Sequence, residues 1–368
     1  MSNDPNRIRF ESTREGKKEE SPGKATAPGG AHGGATKVVL GKGLDVGTAN
    51  LLSAIQKDDG SIVIKRERNM FLEIPSEFQR NRDMLTKLNV PYVSYRDRLF
   101  VLGDAAFDLA NMFGHEVRRP MSDGFLSPDE RDAIPMLRFI IERLLGPPAG
   151  DKESVYFCVP APSIDTTNDT VYHQGIIDGL LKKLGYHPTP INEGHAVVYA
   201  ELADQDFTGI GVSCGGGMFN VCVAYKTIPA VTFSVSRGGD WIDAHVAKVM
   251  GIPRTRATNI KESEGLSLTR PRNREEEAVV LYYRNLIEYV LRNLAQRFSL
   301  ARDVPQFTNP VEVVVSGGTS LVGGFVEVFA EELRKVDFPL TVAGVRRADD
   351  ALTSVVRGCL IAAALDQH

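Results

Sequence analysis

Several things are scarce in this 368-residue chain, and each scarcity closes off a class of protein. There are four cysteines, Cys158, Cys214, Cys222 and Cys359, all in apolar strand-like or helical contexts and none in a Cys-x-x-Cys pair. They read as buried reduced thiols of a cytosolic protein, so neither a disulfide scaffold nor a zinc site is expected. The seven histidines show no metal-ligand spacing. No apolar stretch reaches the roughly 18 residues of a membrane span. The N-terminus lacks the apolar core of a signal peptide, so a cytoplasmic rather than an exported protein is expected. Basic charge is not in excess, and a formal net charge of −4 gives no sign of nucleic-acid binding. What remains is ordinary globular composition, 42% hydrophobic and 24% charged, in a chain long enough for two lobes with full cores.

Residues 1–36 are rich in Glu, Lys, Gly, Ser and Pro, with almost no apolar side chains beyond Ile8 and Phe10. Such a composition cannot bury enough surface to fold, so a disordered tail is expected there, with binding of protein partners as its secondary reading. Nothing in it resembles an amphipathic membrane helix, and membrane attachment is left without support.

Glycine-rich turns carry most of the information. Val38-Val39-Leu40 leads into Gly43-Leu44-Asp45-Val46-Gly47-Thr48-Ala49-Asn50, and Leu51-Leu52-Ser53-Ala54-Ile55 leads out, which reads as strand, tight turn, strand. Glycine at the tip leaves no Cβ in the way of a phosphate, and successive turn amides can point at an anion. Asp45, at the strand end, is placed to hold Mg²⁺ through its water shell. With no lysine in the turn, phosphate charge must be met by amides and metal, unlike a Walker loop. A second turn, Ser213-Cys214-Gly215-Gly216-Gly217-Met218, precedes the strand Cys222-Val223-Ala224-Tyr225. In a third, the buried-type strand Val313-Val314-Val315 runs through Ser316-Gly317-Gly318-Thr319-Ser320 to a helix expected at about Phe325–Arg334. Bare backbone at the mouth of a helix can lie against a ribose or purine. Each turn alone is an ordinary bend; three in this order suggest two lobes closing on one nucleotide.

In this arrangement the chain resembles the actin, heat-shock-chaperone and sugar-kinase ATPase superfamily, and within it the bacterial actin-like proteins of the MreB type. The resemblance runs from about residue 38 to the C-terminus. Asp45 through Asn50 looks like the first phosphate loop, with Gly47, Thr48, Ala49 and Asn50 facing the nucleotide. Ser213, Gly215, Gly216, Gly217 and Met218 look like the second, and Gly317, Gly318, Thr319 and Ser320 like the adenosine loop. Arg119-Pro120-Met121-Ser122-Asp123-Gly124 through Met136-Leu137-Arg138-Phe139-Ile140 is similar to the segment returning from the small outer subdomain. Ile191-Asn192-Glu193 looks like the start of the first interlobe helix, with Glu193 facing the metal through water. Gly239 belongs to the turn after the second phosphate hairpin, and Lys261 and Glu262 resemble the pair that reaches the adenosine. Asp349-Asp350-Ala351 looks like the opening of the second interlobe helix, which contains Gly358, with an aspartate as its cap. The resemblance implies an α/β fold, actin-like and ribonuclease H-like, with ATP or ADP and Mg²⁺ in the interlobe cleft. It implies a first lobe over 37–180 with an outer subdomain at about 79–120, a second lobe over 181–348 with an outer part at about 241–310, and a C-terminal helix over 349–368 returning to the first lobe.

Two departures bear on mechanism. The second phosphate loop of the family begins with aspartate where this chain has Ser213, and Met218 replaces the usual threonine. A hydroxyl brings no charge to a metal site. The helix after Val159-Pro160 places Tyr172 where the family has a water-orienting residue, with His173 and Gln174 beside it. Tyrosine, with a reference pKa of about 10, is a poor base at neutral pH, whereas histidine or glutamine can bond a water. A slow ATPase or a nucleotide-gated switch follows, built on phosphoryl transfer to water.

Elsewhere, strands near Ile62–Lys65 and Glu73–Phe78 are expected to complete the first sheet, and Val155–Val159 reads as a buried strand. Val280, Tyr283, Ile287, Val290 and Leu294 form an amphipathic stripe, read as core. Arg254, Arg256, Arg270, Arg272 and Arg274 read as a solvated loop. The main functional expectation is a cytoskeletal protein that self-associates into filaments, since head-to-tail contacts build open polymers when the rotation does not close. The alternative is a non-polymerising adaptor or pseudo-ATPase of a secretion or division assembly, which Ser213 and Tyr172 favour. A sugar kinase is disfavoured, because no sugar-binding polar cluster is evident.

Overall fold

The computed structural model describes residues 41–366 except 58, 75–77, 114, 123, 128, 151–152, 168–169 and 303. The expected tail and the Val38–Leu40 lead-in lie outside the described residues. The described residues begin with an antiparallel meander, β1 (Lys42–Val46), β2 (Asn50–Gln56) and β3 (Ile62–Arg68). Residues 70–118 then form a compact unit of their own. It contains β4 (Phe71–Ile74), α1 (Phe78–Lys87), β5 (Tyr92–Tyr95), β6 (Arg98–Leu102) and α2 (Gly103–Phe113), with strand order β4-β6-β5. Its core gathers Leu72, Leu85, Leu99, Val101 and Leu109. The expectation for Glu73–Phe78 is corrected here. Glu73 and Ile74 belong to β4, which pairs with β6 rather than with the first sheet, and Phe78 already begins α1.

The chain continues with the ribbon β7 (Met121–Ser122) and β8 (Phe125–Leu126), then α3 (Ala133–Leu145), β9 (Ser154–Val159), α4 (Thr170–Lys183), β10 (His187–Asn192) and α5 (Glu193–Glu201). A second meander follows, β11 (Gly209–Cys214), β12 (Phe219–Tyr225) and β13 (Ile228–Val235). The remainder is α6 (Gly239–Met250), α7 (Arg254–Lys261), α8 (Arg274–Leu300), β14 (Val311–Ser316), α9 (Phe325–Arg334), β15 (Val342–Arg347) and α10 (Ser354–Leu365).

The two five-stranded sheets repeat one topology. In the first, β1 lies between its hairpin partner β2 and the parallel strand β9, giving the order β10-β9-β1-β2-β3. In the second, β11 occupies the same place, giving β15-β14-β11-β12-β13. The alternation of hairpin and helical crossover produces this mixture, because adjacent antiparallel strands need only a turn whereas parallel strands need a helix. Asp45 and Ser213 are therefore equivalent, each the penultimate residue of its sheet's central strand.

Helices α5 and α10 each pack on a sheet and on one another. They are buried with Cys158, Ile191, Cys222, Ala224 and Val314. Their crossing depends on Gly358, where a Cβ would stand 1.8 Å from the backbone oxygen of Ala196. α10 starts at Ser354, later than the two aspartates. Asp350 is not its cap: the carboxylate accepts from Leu352 N–H at 3.0 Å and so stabilises the preceding turn. The stripe on α8 is core as expected, with Tyr283, Ile287, Val290 and Leu294 buried against the second sheet's cluster. The arginine segment is not a simple loop. Arg254 and Arg256 lie on α7, and Arg254–Asp240, Arg256–Glu275 and Arg272–Glu276 are ion pairs. No helix among the described residues is long and apolar enough to cross a membrane.

Candidate functional site

The ends of β1 and β11 and the start of α5 bring polar groups together in an otherwise apolar region. Glu193 is placed by the cap of α5, where the Asn192 side chain accepts from the N–H groups of Gly194 and His195. Ser213 Oγ donates to Glu193 Oε2 at 2.9 Å. On the first sheet, the Cys158 thiol donates to Asp45 Oδ1 at 2.9 Å and its sulfur accepts from Val46 N–H at 3.2 Å. Asp45 and Glu193 are half-buried as residues. Burial pushes both carboxyls well above the usual range, and the Asp45 charge pushes Glu193 further. Cys158 counters the shift at Asp45; Ser213 and Asn220 counter it at Glu193.

The first glycine turn closes by Gly47 N–H to Asn50 O at 3.1 Å. It is held from beneath by buried Asn69, which donates from Nδ2 to Gly47 O and from its backbone to Ala49 O, both at 2.9 Å. The second closes by Gly215 N–H to Met218 O at 2.9 Å. Thr48 and Met218, at the two tips, meet at one residue between β7 and β8. Gly124 N–H donates to Thr48 Oγ1 at 3.0 Å, and a Cβ on Gly124, whose φ is +85°, would stand 2.6 Å from Met218 Sδ. Only glycine fits there without displacing the thioether. In place of a threonine hydroxyl, Met218 supplies a buried packing contact.

Several expected ligand-binding residues also brace the second turn. Gly239 N–H and Asp240 N–H donate to Gly215 O and Gly216 O, and Thr319 Oγ1 donates to Gly215 O at 2.9 Å. Lys261 Nζ is an ion pair with Asp243 at 2.8 Å and donates to Gly239 O at 3.1 Å. Gly317 N–H goes to Ala351 O, and Ser320 Oγ to Gly317 O. Gly318 is the open member of its loop, with only Leu352 near the place a Cβ would take. Glu262 is exposed beyond the end of α7.

The three candidates on α4 separate by exposure. Tyr172 is 53% exposed and Gln174 partly buried, whereas His173 turns inward. Its Nδ1 accepts from Leu126 N–H at 3.3 Å, and its ring stands edge-on to Phe125. That bond puts the proton of the neutral ring on Nε2, and burial lowers its pKa to about 4.

Sequence reading missed Cys158 and Asn220. All four cysteines are free and buried, as expected, but Cys158 is also a contact of Asp45. Asn220 is fully buried with its Nδ2 unpartnered. A lone polar residue inside the apolar strand Phe219–Tyr225 was the signal, since buried amides need partners.

Two sheets of one repeated topology, helices α5 and α10 between them, and a glycine turn ending each central hairpin define the actin-like, ribonuclease H-like α/β fold, as sequence reading anticipated. The chain belongs to the Volactin family, whose model matches residues 40–363. Among solved structures, a MamK double helical filament matches at 19% identity with a TM-score of 0.65, covering 88% of this chain and 98% of the other. MreB5 of Spiroplasma citri bound to ADP matches at 17% identity with a TM-score of 0.60, covering 89% and 96%. A non-polymerising MamK mutant bound to AMPPNP matches at 19% with a TM-score of 0.53, covering 88% and 98%. At these identities the likeness is one of fold. No curated protein matches the sequence.

Proposed function

We propose that this chain binds a purine nucleotide with a divalent cation between its two glycine turns and self-associates into filaments in a nucleotide-dependent way. The carrying observation is the convergence of Asp45, Glu193 and Ser213 beside both turns. Nucleotides in the similar MreB5 and MamK structures, and the MamK filament, support the same reading.

The residues fit a hydrated metal. No group of three or more His, Cys, Asp or Glu among the described residues forms a direct metal cage. Two carboxylates and a hydroxyl suit Mg²⁺, which keeps most of its waters. When bound, the cation would neutralise phosphate charge and relieve the mutual repulsion of Asp45 and Glu193. The amides of Gly47–Asn50 and Gly215–Met218 would face the phosphates, and the open Gly318 the nucleoside. Among the acidic and basic candidates, Glu193 best fits a water-orienting role. It is anchored by Ser213 and held near neutrality, with a pKa of about 7.

Calorimetry with ATP and ADP in magnesium buffer tests binding, with 1:1 uptake expected and no heat refuting it. Sedimentation and negative-stain microscopy with and without nucleotide test assembly; a chain monomeric under every nucleotide condition refutes the polymer. The adaptor reading has one observation in its favour, the neutral Ser213 on Glu193. Absence of phosphate release alongside tight binding would select it.

A further inference from the structure

Past Val159 the chain leaves the first sheet and runs along β13 of the second. Ser234 N–H donates to Pro162 O and Ile164 N–H to Ser234 O, both at 3.0 Å, with a parallel bridge from Ser163 to Ser234. Ser234 Oγ donates to Ala161 O at 2.8 Å, and Asp165 receives Ser236 N–H at 2.7 Å and pairs with Arg237 at 3.3 Å. Residues 161–165 thus form a strap bridged to the edge strand of the second sheet, continuous in sequence with β9 of the first.

One bond from this strap reaches inward. Ala161 N–H donates to Asn220 Oδ1 at 2.9 Å. A backbone N–H can only donate, so the amide flip is fixed and Nδ2 turns the other way. Asn220 stands directly opposite Ser213 in the β11–β12 register, so the two side chains share a face of the sheet. Ser213 on that face bonds Glu193 at 2.9 Å. Asn220 Nδ2 is fully buried with no hydrogen bond of full geometry, and the Asn220 amide is one of the two groups that draw the Glu193 pKa back down. A buried donor left open in this way is one that a ligand, water or shifted carboxylate completes.

We propose that Asn220 is a positioning residue for Glu193, and that it links the alignment of that carboxylate to the seating of residues 161–165 on β13. The proposal rests on the reading of Glu193 as a site carboxylate. With the strap seated, Ala161 holds the amide so that Nδ2–H is available to Glu193. With the strap lifted, the amide is free to turn and Nδ2 is no longer held for the carboxylate.

Asn220→Asp keeps the acceptor for Ala161 and replaces the donor by a like charge, in a side chain of the same shape. In nucleotide-free protein we expect a lower melting temperature that Glu193→Gln largely restores in the double variant. In turnover assays with Mg²⁺ and ATP, we expect kcat to fall ~10-fold or more with KM changed much less. A melting temperature unchanged by Asn220→Asp, or a loss that Glu193→Gln does not relieve, overturns the proposal. Should Asn220→Asp not fold, Asn220→Ala replaces it. Glu193→Gln must then shift the melting temperature differently in the Asn220→Ala and wild-type backgrounds, and equal shifts overturn the proposal. The melting cycle needs no nucleotide, so coupling without nucleotide binding refutes the functional reading and leaves the positioning role standing.

Discussion

Ser213→Asp restores the aspartate of other actin-like second loops, and its effect follows from one contact. Ser213 is 3% exposed and its Oγ lies 2.9 Å from Glu193 Oε2. An aspartate there exchanges a hydrogen-bond donor for a carboxylate against another carboxylate. Two charges about 4 Å apart at an effective dielectric near 20 repel by about 4 kcal/mol. Proton uptake offers a cheaper route. With Glu193 at a pKa of about 7, protonating it at pH 8 costs about 1 kcal/mol. The nucleotide-free variant should therefore lose about 1 to 4 kcal/mol at pH 8, with the loss growing as pH rises. At roughly 1.5 °C per kcal/mol, that is a fall of about 2 to 6 °C in melting temperature. Mg²⁺ with ATP should remove most of the fall, because a cation turns the added charge into a ligand. Ser213→Ala separates the effects, since it loses the donor without adding charge and should show no special recovery. Scanning calorimetry in EDTA and in Mg²⁺–ATP provides the measurement. A Ser213→Asp protein that melts with the wild type in EDTA, or gains no more from Mg²⁺–ATP than Ser213→Ala, refutes the reasoning.

Other consequences are open to direct measurement. Gly358→Ala should cost about 3 kcal/mol or more by forcing α5 and α10 apart at Ala196 O. Gly175→Ala and Gly179→Ala on α4, where a Cβ meets nothing within 4 Å, should each stabilise by up to about 1 kcal/mol; urea melts rank all three. Asp45 and Glu193 rise from 3.8 and 4.5 to about 6 and about 7 on folding. The folded chain then binds more protons than the unfolded one, and these groups make nucleotide-free stability fall as pH climbs through about 4 to 7. Asp45→Asn with Glu193→Gln should flatten that limb. His173 works in the opposite sense: its pKa drops from 6.5 to about 4 on folding, so its contribution is lost as pH falls through that window. The four thiols, all buried, should resist a thiol reagent in the native protein and all react in denaturant; rapid native labelling of Cys158 would contradict its place against Asp45.

The sequence alone determined what is local. Glycine turns between β-prone runs marked both central hairpins, and the bounds of α9 follow from residues that are neighbours in the chain, whereas the strand read as Cys222–Tyr225 begins earlier, at Phe219. Three glycine turns in order, with the family resemblance they carry, were enough to anticipate a two-lobed α/β fold. Sequence reading failed where structure depends on distant partners. Nothing beside Glu73 says that its strand joins β6 instead of the first sheet, and nothing beside Asp349 says that α10 waits until Ser354. Cys158 looked like one apolar thiol among four until folding set it on Asp45, 113 residues away. Asn220 and Ala161, 59 residues apart, became partners only when a segment continuous with one sheet added itself to the edge of the other. Turn and strand preferences are properties of short segments, whereas hydrogen bonds and charge coupling within a site depend on distances that only the packing of both sheets around α5 and α10 sets.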